Sequence, residues 1–448
     1  MIIVLKGDCM GRFEVFIRSL INAKLSQNPE GIVSICSSNP YVLKSFFKSA
    51  VSYGGMLLIE STSNQVNQYG GYTGMKPIDF RNYVFKLAEE YKIGENRIIL
   101  GGDHLGPNPF KNSDNKKAME EACNLVVECV KAGYKKIHLD ASMPLRGDYF
   151  YPVGHVDLEL AGERAAILCK ASENALIGNN NSAEKPLYVI GTEVPAPGGS
   201  SEVERKGKIE VTSPGDLKNT IETTKNSFLK YGLEDAWNRV IAVVCQPGVE
   251  FGEMQVLDYD RNRARELAFY IKGLDHLIGE AHSTDYQTAK HLRELVEDGF
   301  SILKVGPELT YALREALFSL SFIEDELIEN EDEKSALVSV LEDVMIENPG
   351  WWETHYSKGS KVSLKYSLFD RIRYYWNDKR VNDAVQKLFK NLRSRIIPLS
   401  LLSQFLPVQY WKIREGKLKS DPLDIILDKI DEVIKKYYFA TKGVKNNV

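Results

Sequence analysis

The sequence predicts an α/β fold, a closed (β/α)8 barrel carrying a C-terminal helical extension, on three observations. Short apolar runs recur eight times in the first 308 residues; amphipathic helical patterns separate them; polar and charged residues collect at the C-terminal ends of the runs. Eight βα units fit a closed ring better than an open doubly wound sheet.

The strand candidates, in order, are GIVSICSS (31–38), GMLLIEST (55–62), RIILGGDH (97–104), KKIHLDAS (135–142), LYVIGTEV (187–194), RVIAVVCQ (239–246), LIGEAHST (277–284) and SILKVGPE (301–308). Each is short and nearly all apolar, as strands covered on both faces read. Helical periodicity follows at 77–92, 115–132, 156–174, 215–231, 260–273, 286–298 and 308–322. Such alternation implies parallel strands joined by right-handed crossovers. The barrel is placed at residues 1–325. From 326 to 448 the strand signal stops and amphipathic helices continue, with Trp351, Trp352, Tyr374, Tyr375, Trp376, Tyr410 and Trp411 interspersed among Arg371, Arg373 and Arg380. An aromatic-rich appendage of this kind is expected to pack on its own barrel.

Bulk properties exclude several classes of function. The chain of 448 residues is 43% hydrophobic with net charge −4, and its basic residues are scattered among acids, so nothing advertises nucleic acid or an anionic membrane. No apolar stretch is long enough to span a bilayer, and the N-terminus has no cleavable leader pattern. The six cysteines lie far apart without C-x-x-C spacing, as reduced thiols of a cytoplasmic protein would. There is no G-x-x-x-x-G-K-[ST] loop, so a kinase built on a P-loop is unsupported.

The polar residues at the strand ends are Glu60, Ser61 and Thr62, Asp103 and His104, His138 with Asp140, Glu193, Gln246, His282 with Asp285, and Lys304. In a barrel these positions share one rim, where eight loops each supply a group to a common pocket. Desolvating so many carboxylates and imidazoles together is costly unless their charges compensate one another or hold a cation, and a divalent metal is the simplest compensator. His104 and His282 end apolar strands and read as metal ligands. His138 alternates with Ile137 and Leu139 and is equally readable as a core histidine held by Asp140. Glu193 precedes the rigid run containing Pro195, Pro197, Gly198 and Gly199, which suits a positioned ligand or base. Lys304 can pair with a neighbouring acid or meet a phosphate. The loop after the second strand brings Asn64 and Gln65, part of a row of uncharged donors and acceptors matching a polyhydroxylated ligand. Ser283 and Asp285 after the seventh strand, and Gly199, join that substrate-facing set.

Several long motifs, GGDHLGPN, KKIHLDAS, VIGTEVPAPGG, VVCQPGVEF, EAHSTDYQ, LKVGPELTYALREALFSL and DRIRYYW, together resemble the Z-subunit family of class II D-tagatose-1,6-bisphosphate aldolase. Its members have also been labelled tagatose-6-phosphate kinases. The resemblance implies a (β/α)8 barrel and a Z component supporting a separate catalytic subunit. Some similar proteins instead act alone, as C4 epimerases of fructose 6-phosphate and tagatose 6-phosphate. Likeness to the catalytic class II aldolases, whose third strand ends in an Asp-His pair, makes Asp103 the acid/base and His104 and His282 metal ligands. Where those aldolases carry a further histidine after the sixth strand, this chain has Gln246, a weaker zinc ligand. The implied cofactor is therefore zinc, manganese or nickel, with Gln246 and Glu193 completing its ligands. The expected partners are a phosphorylated ketohexose, a class II aldolase catalytic subunit, or a second copy of the chain.

Overall fold

Eight parallel strands close into a ring in the computed structural model, which describes residues 10–149, 151, 156–177, 184–191, 200, 203, 207–356 and 360–442. The strands are β1 (Ile32–Ile35), β2 (Leu57–Thr62), β3 (Ile98–Leu105), β4 (Lys136–Leu139), β5 (Leu187–Gly191), β6 (Val240–Val244), β7 (Ile278–Ala281) and β8 (Ile302–Val305). Every one falls within, or within one residue of, its predicted run. Ser34 of β1 pairs in register with Leu58 of β2 on one side and with Lys304 of β8 on the other, which closes the barrel.

Strand periodicity sorts the interior into layers. Ile32, Leu58, Ile99, Leu187, Ile278 and Ile302 form the lowest, apolar layer, in one cluster with Phe13, Ile17, Leu20 and Ile21 of the helix Arg12–Ala23, which caps the N-terminal mouth. Two residues further along the same strands stand Ser34, Glu60, Gly101, Glu280 and Lys304, so the same alternation carries polar groups into the upper half. That change of character, apolar below and charged above, positions the site.

The surrounding helices match the seven predicted windows and add Arg12–Ala23 and Pro40–Tyr53. Several begin on side-chain caps. Asn39 Oδ1 accepts from the N–H groups of Tyr41 and Val42, and Asp114, Asp157, Ser213 and Thr288 serve in the same way. Each such cap stabilises a helix start by about 1 kcal/mol and ends the preceding rim loop at a defined residue.

The C-terminal helices share the main apolar cluster with the barrel. The helix Pro422–Lys442 packs against Pro40–Tyr53, Ala289–Glu297 and Pro307–Leu327, and reaches β1, where Thr441 O accepts from Gly31 N–H at 2.8 Å. Ile425, Ile426, Ile430, Ile434 and Tyr437 are buried there, and each such side chain contributes about 1.5–3 kcal/mol. Tyr437 also donates its hydroxyl to Thr284 O at 2.9 Å, tying the last helix to the loop after β7. Among the described residues no helix is long and apolar enough to cross a membrane.

Candidate active site

Charged side chains fill the middle of the barrel. Lys136 Nζ, fully buried, lies 2.9 Å from both carboxylate oxygens of Glu60 and 2.8 Å from Glu280 Oε2. Ser34 donates its hydroxyl to Glu60 Oε1 at 2.5 Å. Gly101 makes room for this layer, since a Cβ there would stand 2.7 Å from Glu60 Cγ.

One step up, Asp103, His104, His138 and His282 bring ligand atoms within 4.8 Å of one another, and all four are buried. The three imidazole rings meet nearly edge to face, with centroids 4.8–5.3 Å apart. Strand alternation accounts for Asp103, His138 and His282. It does not account for His104, which would face outward; the backbone there turns left-handed, at φ 49°, and the register between β3 and β4 shifts between Gly102 and Leu105. The kink places the acid and the imidazole on the same side. A non-glycine residue in this region costs of order 1 kcal/mol or more, and Ser283 and Tyr286 at the same rim share it, at φ 51° and 65°.

Hydrogen bonds orient each ring. His104 donates Nδ1–H to Asp140 Oδ2 at 3.0 Å, and His282 donates Nε2–H to Glu280 Oε1 at 2.9 Å. A carboxylate behind each imidazole fixes its tautomer, so the lone pair sits on the opposite nitrogen, as in metal-binding histidines. His138 differs: its Nδ1 accepts from His104 N–H at 3.2 Å and its Nε2 donates to Gly191 O at 3.2 Å, so both nitrogens serve the fold. Lys304 Nζ lies 2.5 Å from Asp103 Oδ1 and 3.2 Å from Glu60 Oε1.

Electrostatics follow from these contacts. Burial opposes the charge of Asp103, but His104 and Lys304 outweigh it and hold the carboxyl well below its ordinary range. Burial likewise opposes ionisation of Asp140, which its contact with His104 nevertheless brings down to about 2. Lys136 and Lys304 overcome burial to keep Glu280 ionised. Burial, reinforced by the neighbouring imidazoles, lowers His138 and keeps it neutral. The buried carboxyl side chains Glu60, Asp103, Asp140 and Glu280 thus outnumber the two buried lysines, Lys136 and Lys304, with the imidazoles of His104, His138 and His282 among them. His104 Nε2 also stands 3.6 Å from Asp103 Oδ1. The donor set, with its excess of carboxyl groups over lysines, fits a divalent metal.

Above this floor lies a cavity of about 150 Å³. Of the residues singled out in the sequence, Asn64, Gln65, Asp103, His104, His282, Ser283, Asp285 and Lys304 line it. Gln65 is also structural, accepting from Thr62 N–H at 3.1 Å and donating to Cys36 O at 3.3 Å. Asp285 accepts from the N–H groups of Gly306 and Glu308 at 3.0 and 2.8 Å, and burial raises its carboxyl to about 7. Gln246 is absent from the lining: its Oε1 accepts from Gly248 N–H at 2.7 Å and closes its own turn. Glu193 and Gly199 lie outside the described residues. Residues not anticipated include Ser37, Ser38 and Asn39 after β1 and Tyr374, Trp376 and Asn377 from the C-terminal segment. The Asn39-Pro40 helix start was a usable signal for the first group; the second is brought in only by long-range packing.

The family model described as D-tagatose-1,6-bisphosphate aldolase subunit GatZ/KbaZ-like matches residues 17–442. The D-tagatose-1,6-bisphosphate aldolase subunit GatZ of Salmonella heidelberg (strain SL476) is 45% identical over 427 residues, 95% of this chain and 99% of that one. The protein of the same name from Salmonella typhimurium (strain LT2) is 46% identical over 415 residues, covering 92% and 95% respectively. The crystal structure of a probable tagatose 6 phosphate kinase from Sinorhizobium meliloti 1021 superposes with a TM-score of 0.81 at 39% identity, over 92% of this chain and 100% of that one.

Proposed function

The chain belongs to the D-tagatose-1,6-bisphosphate aldolase subunit GatZ/KbaZ-like family, and from that membership and the cluster at the barrel mouth we propose a divalent-metal-dependent enzyme of ketohexose phosphates. The reaction is C4 epimerisation between tagatose 6-phosphate and fructose 6-phosphate by a retro-aldol route. The observation that carries this reading is the convergence of Asp103, His104, His138 and His282 within 4.8 Å, beside buried carboxyl groups that outnumber the buried lysines.

His104 and His282 hold the metal, each braced by a carboxylate on its far nitrogen. The bound ion, zinc, manganese or nickel, supplies Lewis acidity to oxygens of the ketose. Asp103 accepts the proton of the C4 hydroxyl as the C3–C4 bond opens, and the bonding pair withdraws towards the C2 carbonyl. Lys304, now paired with Asp103, must shift to a substrate oxygen for the carboxylate to become basic enough. The aldehyde fragment turns its other face, the bond re-forms, and Asp103 returns the proton, so atoms and charge balance. Asn64, Gln65 and Ser283 offer hydrogen bonds to the hydroxyls. Purified full-length chain incubated with each metal and fructose 6-phosphate should yield tagatose 6-phosphate, with no C4 hydrogen exchange into deuterated solvent. Exchange at C4 would overturn the retro-aldol route.

A second reading is favoured by the relatives' printed description as an aldolase subunit: the chain stabilises a catalytic class II aldolase partner. Activation of a co-expressed aldolase, with no epimerase activity under any metal, would select it.

A further inference from the structure

Arginine side chains of the C-terminal segment also gather at the cavity. Arg371 is buried and Arg373 half-buried, and neither lies within ion-pair distance of a carboxylate among the described residues. Arg371 Nη1 and Arg373 Nη2 both donate to the hydroxyl of Tyr374, at 3.3 and 3.2 Å, and Arg373 spends Nη1 on the backbone oxygens of Phe369 and Asp370. Asp370, the carboxylate that acts on Arg373 through space, is engaged by the Thr310 hydroxyl at 2.5 Å, and burial raises it to about 7, leaving it partly protonated near neutrality. The same field is felt nearby: burial, then Arg371 and Arg373, lower His355 to about 4. Two buried donors here have no acceptor among the described residues, Arg371 Nε and the indole N–H of Trp376. Arg373, Tyr374 and Trp376 line the cavity together with Ser37 and Ser38.

Unneutralised guanidinium groups and unmatched donors beside a cavity are costly without an anion to receive them. Arginine with an indole N–H suits a planar or tetrahedral oxyanion. We propose that this wall is an anion subsite for a phosphomonoester, built by Arg373 and Trp376 from the C-terminal segment rather than by the barrel loops alone. Resting on the ketose-phosphate reading, it seats the phosphate of the sugar while the cation site on the floor receives the reacting oxygens.

The test uses full-length protein and two probes. Inorganic phosphate should raise the melting temperature of the unmodified protein, and Arg373→Met should abolish that rise. Fructose 6-phosphate binding, measured by calorimetry without turnover, should weaken by at least about tenfold in Arg373→Met, while Trp376→Phe, which keeps an aromatic ring but lacks the indole N–H, should weaken it less. Phosphate-dependent stabilisation that persists in both variants overturns the subsite. Loss of phosphate stabilisation with unchanged fructose 6-phosphate affinity overturns its assignment to the sugar. Neither readout depends on catalysis, so failure of the epimerase reading leaves both interpretable.

Discussion

Lys304 Nζ stands 2.5 Å from Asp103 Oδ1 at the floor of the cavity, and this pair joins the two ends of the proposed chemistry. It keeps the acid ionised and, by the same contact, too weak a base until a ligand separates them.

Replacing Lys304 by methionine should lower turnover at least a hundredfold, the order expected when a proton-transfer group is detuned. The pH dependence gives a sharper check. Asp103 is depressed by His104 and Lys304 against burial, so removing Lys304 raises it, and the acidic limb of the rate profile should move to higher pH. A limb that stays in place means that Asp103 is not the titrating base.

Metal content should separate ligands from their supports. His104→Ala and His282→Ala should lose bound metal, read by elemental analysis of the purified protein. Asp140→Asn removes the group behind His104 and should weaken metal affinity about 10–100-fold. Asp103→Asn should retain metal and lose turnover.

Lys136→Met strands Glu60 and Glu280, both fully buried, without the ammonium group that lies 2.9 and 2.8 Å from them. Breaking one partner of a buried network costs about 3–5 kcal/mol, measurable by urea unfolding. Adding Glu60→Gln to the same chain should recover part of that loss, because one stranded charge is removed.

Asp370 provides a pH test of stability. Burial raises its folded-state value to about 7, whereas an unfolded aspartate titrates near about 3.9. The native state therefore binds the extra proton between those limits, and this residue's contribution is full at low pH and lost as pH rises through about 7. Asp370→Asn should gain stability relative to the unmodified protein at pH 8 and lose that advantage at pH 4 in parallel urea titrations. An equal difference at both pH values would refute the assignment.

The site was legible where local alternation controls it. Glu60, Glu280, His282 and Lys304 lie two or four residues from apolar inward positions of their own strands, and His138 lies two from the inward Lys136, so period two alone predicts that they face the interior. The helix windows were legible for a similar reason, since each buries one stripe against the strands. Gln246 shows the limit. It ends its run at a strand mouth, yet Gly248 N–H two residues on takes its side-chain oxygen, and composition carries no trace of that turn.

What the sequence by itself determined was the number of βα units, the mouth at which polar groups gather, and their chemical types, because strand and helix periods are properties of neighbouring residues. Only the tertiary structure decided that His104 swings inward beside Asp103, through a left-handed turn and a register shift against β4, and that Arg373 and Trp376 arrive over the cavity from about 70 residues beyond β8. Both depend on contacts between distant segments, whose geometry is set by ring closure and by how the last helices pack on the barrel, not by any local pattern.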